Sequence, residues 1–192
     1  MQHTTAKKWL LLTINYTAFY LIWFLCIWAG TEGTSMIALP LIISYLVLHI
    51  VAISHCPTCE VMLIAMIMLI GASNDIVLSK TILTYSSASF YGMSWWTLSL
   101  WTCFGTTYWH TLKWMHSHFW TTPFLGAIMV PLCYLYLYNA GAVHFHNKGI
   151  VPFMIISLVW AALLPFSVWI SNTIALYCQH NHTKKRSQEE ED

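Results

Sequence analysis

Charge is scarce in this sequence. Asp, Glu, Lys and Arg supply 8% of its 192 residues, against about a quarter in an ordinary soluble domain. The few charges are also unevenly placed. Nine lie in the tails, as Lys7 and Lys8 at the front and Lys184, Lys185, Arg186, Glu189, Glu190, Glu191 and Asp192 at the back. Between Trp9 and Thr183 only Glu32, Glu60, Asp75, Lys80, Lys113 and Lys148 remain. With 58% hydrophobic residues and a mean hydropathy of +0.61, this distribution excludes a soluble globule. It equally excludes a disordered chain, a collagen and a disulfide scaffold.

Other absences narrow the function. The sequence has no nucleophile elbow, no phosphate-binding loop and no dinucleotide fingerprint. It has no internal repeat and no stretch long and polar enough for a soluble cofactor domain, so no cofactor is expected. A nucleic-acid partner is not expected either.

What is present is a set of apolar runs. A helix needs roughly 20 mostly apolar residues to cross the hydrocarbon core. Six segments meet that need or approach it: 9–28, 35–53, 61–78, 94–115, 119–138 and 151–178. The expected fold is all-α, a polytopic membrane bundle of about six helices occupying residues 1–179 as one domain. Residues 180–192 read as a disordered charged tail. The first run exceeds a signal-peptide core and no Ala-x-Ala site follows it, so it reads as a retained span. The third run weakens at Gly71-Ala72-Ser73-Asn74-Asp75, which leaves a re-entrant third segment as the alternative.

Orientation follows from Lys and Arg near the span ends. Six spans put Lys7, Lys8, Lys113, Lys184, Lys185 and Arg186 on one side and Lys80 and Lys148 on the other. Both termini are therefore expected in the cytoplasm. Trp9, Trp28, Trp95, Trp96, Trp114, Trp120 and Tyr138 fall near span ends, where amphipathic rings are most at home. Pro40, Pro131 and Pro165 sit within spans and are expected to free backbone carbonyls there.

Few side chains in such a chain can carry chemistry. Asp75 is the acidic residue expected at membrane depth, where a carboxylate is costly and functional by default. Against this, Asp75 could cap a new helical segment from Ile76, or Lys80 could snorkel back to pair with it. The fourth segment bears a small and polar stripe at helical spacing: Thr102, Gly105 or Thr106, Trp109 or His110, and Lys113. That face is expected to point inward, with His110 near the cytoplasmic end. Asp75, Trp101, His110 and Tyr134 are the candidates for a polar bundle interior.

A metal reading rests on different residues. Cys56-Pro57-Thr58-Cys59 is a C-x-x-C, and His116-Ser117-His118 lies on the same expected side. Cys56, Cys59, His116 and His118 are the candidate ligands. In a cytoplasmic loop the cysteine pair is expected to be reduced. Cys26, Cys103, Cys133 and Cys178 read as packing residues. No second cysteine pair completes a four-thiolate zinc site, and the histidine blocks of membrane di-iron enzymes are missing.

The motifs resemble one family. Trp96-x4-Trp101-x2-Phe104-x5-His110-x3-Trp114, then Leu125-Gly126-Ala127-x3-Pro131-x2-Tyr134-x6-Gly141-Ala142, are similar to a group of small bacterial inner-membrane proteins of unknown function. Asn15 with Trp23, and Glu60 with Gly71-x3-Asp75, extend the likeness over nearly the whole chain. The family pattern has Gly-Gly before the proline and Ala-Gly after the tyrosine. Here Met129-Val130 and Tyr136-Leu137 stand in those places. The resemblance implies a multi-pass protein of the bacterial inner membrane, often encoded near fatty-acid-modifying enzymes of the cyclopropane-synthase type.

Three functions are consistent with this reading. The first is an accessory protein of envelope or lipid processes that binds a lipid or a membrane partner protein within the bundle. The second is a small proton-coupled transporter or permease, which at this size would work as a homodimer with Asp75 as coupling carboxylate. The third is a membrane enzyme with a cytoplasmic-face His/Cys site.

Overall fold

The computed structural model describes residues 2–54, 56–87 and 90–189. The chain is a bundle of α-helices closed at one end by a two-stranded ribbon. In chain order the elements are α1 (Gln2–Thr31), α2 (Ala38–Ala52), α3 (Pro57–Thr81), β1 (Leu83–Tyr85), α4 (Trp95–Gly105), α5 (Trp114–Ser117), α6 (Thr122–Asn139), β2 (Val143–Phe145) and α7 (Val151–Glu189). Four helical stretches are long and apolar enough to cross a membrane: Thr13–Thr31, Pro57–Thr81, Phe119–Asn139 and Val151–Asn181. A shorter apolar helix, Leu39–Ala52, accompanies them. The outer faces carry large apolar side chains, among them Leu21, Leu48, Phe124 and Leu158. In water that exposure would be unfavourable; against lipid tails it is the ordinary state.

The third segment is not re-entrant. It is one helix of 25 residues that starts with Pro57 in its first turn, where a missing N–H costs nothing. Asp75 lies inside this helix and does not cap a new one. The tail also differs from expectation, since α7 continues as helix to Glu189; residues 190–192 lie outside the described ones.

The fourth segment departs most from its expected form. Its helix stops at Gly105 after 11 residues. The next backbone bonds run Thr106 N to Cys103 O at 3.1 Å, Thr107 N to Phe104 O at 3.0 Å and Leu112 N to Thr107 O at 2.8 Å. These are tight and wide turns in place of the α ladder. The Thr106 and Thr107 hydroxyls also donate to the carbonyls of Cys103 and Phe104 at 2.7 Å, adding a second donor to each and favouring the tight turn over the helix. The stripe from Thr102 to Lys113 is therefore not one helical face. Lys113 is exposed, whereas Gly105, Thr106, Thr107 and Tyr108 are buried.

Short as it is, α4 is the central element, packed against α1, α2 and α3. Glycines allow the close approaches. A Cβ on Gly105 would lie 2.9 Å from the Ile64 backbone on α3. A Cβ on Gly71 would enter the Trp101 ring, and one on Gly126 of α6 would collide with the Trp160 carbonyl of α7. The α6–α7 contact is the most extensive in the bundle.

At the end remote from the termini, β1 and β2 pair antiparallel, with Thr84 opposite His144. The loop after β1 reaches α1, where Ser87 Oγ donates to Gly30 O at 2.9 Å. At the other end Cys59 of α3 and Cys178 of α7 form a disulfide. Cys178 is thus a cross-link and not a packing residue, and Cys59 is joined to it and not to Cys56.

Two outcomes test this packing. Gly126→Val should lower stability by about 1–3 kcal/mol through overpacking, read as a lower melting midpoint in detergent; an unchanged midpoint would contradict the α6–α7 contact. Digestion without reductant should yield a peptide pair linked through Cys59 and Cys178, and Cys59→Ser should abolish it.

Candidate functional site

Among the described residues two carboxylates are buried, Glu60 and Asp75; both stand on α3, 15 residues apart, which is about 22 Å along a helix. Each is surrounded by donors from other elements. They define two polar centres at opposite ends.

The first centre is at the ribbon end. Asp75 is 2% exposed. The Tyr85 hydroxyl of β1 donates to its Oδ1 at 2.9 Å, and the Asn74 amide donates to the same oxygen at 3.3 Å. The Trp101 indole N–H of α4 donates to Oδ2 at 2.9 Å. Tyr134 of α6 meets the Tyr85 hydroxyl at 3.3 Å. Burial and the neighbouring carboxylate push the Tyr85 phenol well above its ordinary pKa, so it remains a donor throughout the working range. Lys80 is exposed, and among the described residues the ion pairs involve Glu60 and not Asp75.

Asp75 forms part of the wall of a cavity of about 310 Å³. Tyr85, Trp101 and Tyr134 line it too, and the remaining wall is largely aromatic and aliphatic, including Trp23, Phe104 and Trp160. Trp101 and Trp160 stack at 5.2 Å with their planes 10° apart. Trp160 is 7% exposed, and its indole N–H has no acceptor in the protein. A cavity of this size, apolar with a few convergent polar groups, has the make-up of a small-molecule site.

The second centre is at the end shared by both termini. Glu60 lies in the first turn of α3 and is 2% exposed. His49, near the end of α2, and His110, in the turns after α4, each place Nε2 2.7 Å from the same Glu60 oxygen, Oε1. The rings meet edge to face, 5.0 Å apart at 83°. His49 is fully buried, and His110 keeps 11% exposure. Behind His49 a polar chain runs inward. Asn15 of α1 approaches His49 Nδ1 at 3.2 Å and donates to Tyr45 OH at 3.1 Å. Thr111 donates to Asn15 Oδ1 at 2.8 Å, and Tyr45 OH meets Thr106 Oγ1 at 2.9 Å. The turns that break the fourth segment thus supply Thr106, His110 and Thr111 to one network.

Placement of the candidates follows. Asp75, Trp101 and Tyr134 share the cavity wall, while His110 belongs to the other centre. Cys56, Cys59, His116 and His118 are not gathered into one site. Cys56 precedes α3 and Cys59 is cross-linked to Cys178. His116 meets Ser171 at 3.3 Å, and His118 meets the Trp114 carbonyl and Ser117 at 3.1 Å. Burial and nearby Lys113 lower the His116 pKa. Among the described residues, the cluster whose ligand atoms converge closely enough for an ion is His49, Glu60 and His110. His49 and Glu60 were not singled out from the sequence. Their signal was present: they stand at facing ends of consecutive helices joined by a short loop.

Fold and sites together define a multi-pass α-helical membrane protein with a largely apolar cavity, walled in part by a buried carboxylate, at one end and a His–Glu–His cluster at the other. A family model described as a protein of unknown function (DUF2878) matches residues 12–166, and the chain belongs to that family. No curated protein and no solved structure matches it.

Replacing Trp101 by Phe removes one donor from a buried carboxylate and should cost about 1–3 kcal/mol. A double-mutant cycle with Asp75→Asn, read from melting in detergent, should return a coupling of similar size. Strict additivity would mean that the bond contributes nothing.

Proposed function

We propose that the protein is an accessory membrane protein that holds a lipid-soluble amphiphile in the Asp75 cavity, in a bacterial inner membrane and in the service of envelope or lipid processes. The apolar part of the ligand packs among Phe104, Trp101 and Trp160. Its polar head meets Asp75, Tyr85 and Tyr134. The observation that carries this reading is the unsatisfied indole N–H of Trp160 in the wall of the same cavity as a buried carboxylate. Buried donors in proteins are nearly always paired, and a ligand acceptor would pair this one.

Native mass spectrometry of the detergent-purified chain tests the proposal. One amphiphile per chain is expected in the wild type, identified after solvent extraction. Asp75→Asn should weaken retention about tenfold or more by removing a charge-assisted contact worth about 1.5–3 kcal/mol. Leu100→Trp should exclude the ligand by filling the cavity. A wild-type chain that emerges from mixed-lipid bilayers carrying nothing would end the proposal.

The break in α4 favours one second reading. Discontinuous membrane helices recur at transporter binding sites, and here α4 breaks off one turn after Trp101, the donor to Asp75. In this reading Asp75 couples solute movement to protons. Solute uptake into proteoliposomes that is indifferent to Asp75→Asn would remove that role.

A further inference from the structure

The His49–Glu60–His110 cluster takes no part in the cavity reading. We propose that it is a binding site for one divalent transition-metal ion of the Zn²⁺ class. Two imidazole nitrogens and one carboxylate oxygen lie within 4.8 Å of one another. That donor set, with one open position, is the one that catalytic zinc sites and non-haem iron sites use. An ion with bonds of about 2.0–2.1 Å holds tetrahedral ligand atoms about 3.3 Å apart. Both Nε2 atoms now stand 2.7 Å from Glu60 Oε1. Separation by roughly half an ångström, within the reach of small side-chain rotations, opens the space.

Charge points the same way. Glu60 is buried, and among the described residues its ion-pair partners are two histidines and no Lys or Arg. With both imidazoles neutral the cluster holds an uncompensated negative charge away from water, which is costly. A divalent cation removes that cost. In binding it, each neutral imidazole keeps its one proton, which moves from Nε2 to Nδ1.

The surroundings suit a ligated histidine. A metal-bound imidazole normally gives its other N–H to an acceptor, which fixes the ring. His49 Nδ1 faces the Asn15 amide nitrogen at 3.2 Å, which donates as the plane now stands. That amide offers either a donor or an acceptor according to which way its plane is turned. Thr111 at its far end can accept or donate in response. Asn15 is thus a positioning residue for His49. Entry and the open coordination position lie on the side of His110, the one ligand that keeps some exposure.

The test uses the full-length chain without a histidine tag, purified in detergent and stripped with a chelator. Zn²⁺ is titrated and counted by elemental analysis, and Co²⁺ is used to report geometry through its visible absorption. One ion per chain is expected, with the strong Co²⁺ bands of a four- or five-coordinate site. His110→Gln and Glu60→Gln should each weaken binding by at least about a hundredfold, and Asn15→Leu by about tenfold. His144→Gln, which removes an exposed histidine of the ribbon at the opposite end, should bind as the wild type does. A folded wild type that takes up none of these ions would overturn the site and leave the cluster as a hydrogen-bonded network. So would binding that survives His110→Gln. Co²⁺ absorption of the wild type alone decides the matter if the variants fail to fold, because an ion held by surface histidines stays six-coordinate and weakly coloured.

Discussion

A carboxylate removed from water must be solvated by the protein, and α3 carries two of them. That obligation organises the bundle. Asp75 draws a hydroxyl from β1 and an indole from α4, while Glu60 draws imidazoles from α2 and from the turns after α4. Dispersion among apolar helices distinguishes poorly between one rotation and another, because lipid tails compete on equal terms. A hydrogen bond to a buried charge is selective. Moving α4 by one residue about its axis would carry the Trp101 N–H away from Asp75 and leave a charge short of a donor. The same rotation would lift the Trp101 ring off Gly71. Small residues and polar partners therefore specify a single arrangement together.

Much of the helical order was legible because hydrocarbon thickness imposes length. Each apolar run was long enough to notice, and the breaks fell at Gly, Ser and charged residues. Asp75 stood out as the acidic residue expected at membrane depth, inside the apolar run 61–78. Glu60 did not stand out, since an acid at the start of a helix is ordinary and favoured by the macrodipole. Only the three-dimensional arrangement shows that two histidines enclose it. The break at Gly105 was hidden by its own composition: Thr102, Gly105, Trp109 or His110 and Lys113 recur at helical spacing and look like a packing face until the Thr106 and Thr107 hydroxyls are seen bonding to the carbonyls of the preceding turn. The Cys59–Cys178 cross-link spans 119 positions, so nothing local announces it.

The two centres differ in character. The Asp75 centre is a volume, lined largely by aromatic and aliphatic side chains. The Glu60 centre is a point, where two imidazoles converge on one carboxylate oxygen. The helix between them is a continuous 25-residue rod, and the fourth segment runs alongside it from Trp101 to His110. Any rotation of that segment would be felt at both ends, because it gives one donor to each carboxylate.

The interrupted fourth segment also bears on how the chain enters the membrane. An unbroken apolar helix satisfies its own backbone and can partition into lipid alone. The stretch from Thr106 to Lys113 cannot, because its backbone is only turns, and its Thr106, Tyr108 and Thr111 hydroxyls are met by Tyr45, by Ser167 of α7 and by Asn15. It therefore needs its neighbours already in place, and α2 and α3 precede it in the chain. Biogenesis on this architecture is ordered: the early helices wait as a docking cradle, and the central element, made fourth, enters as a guest of the others.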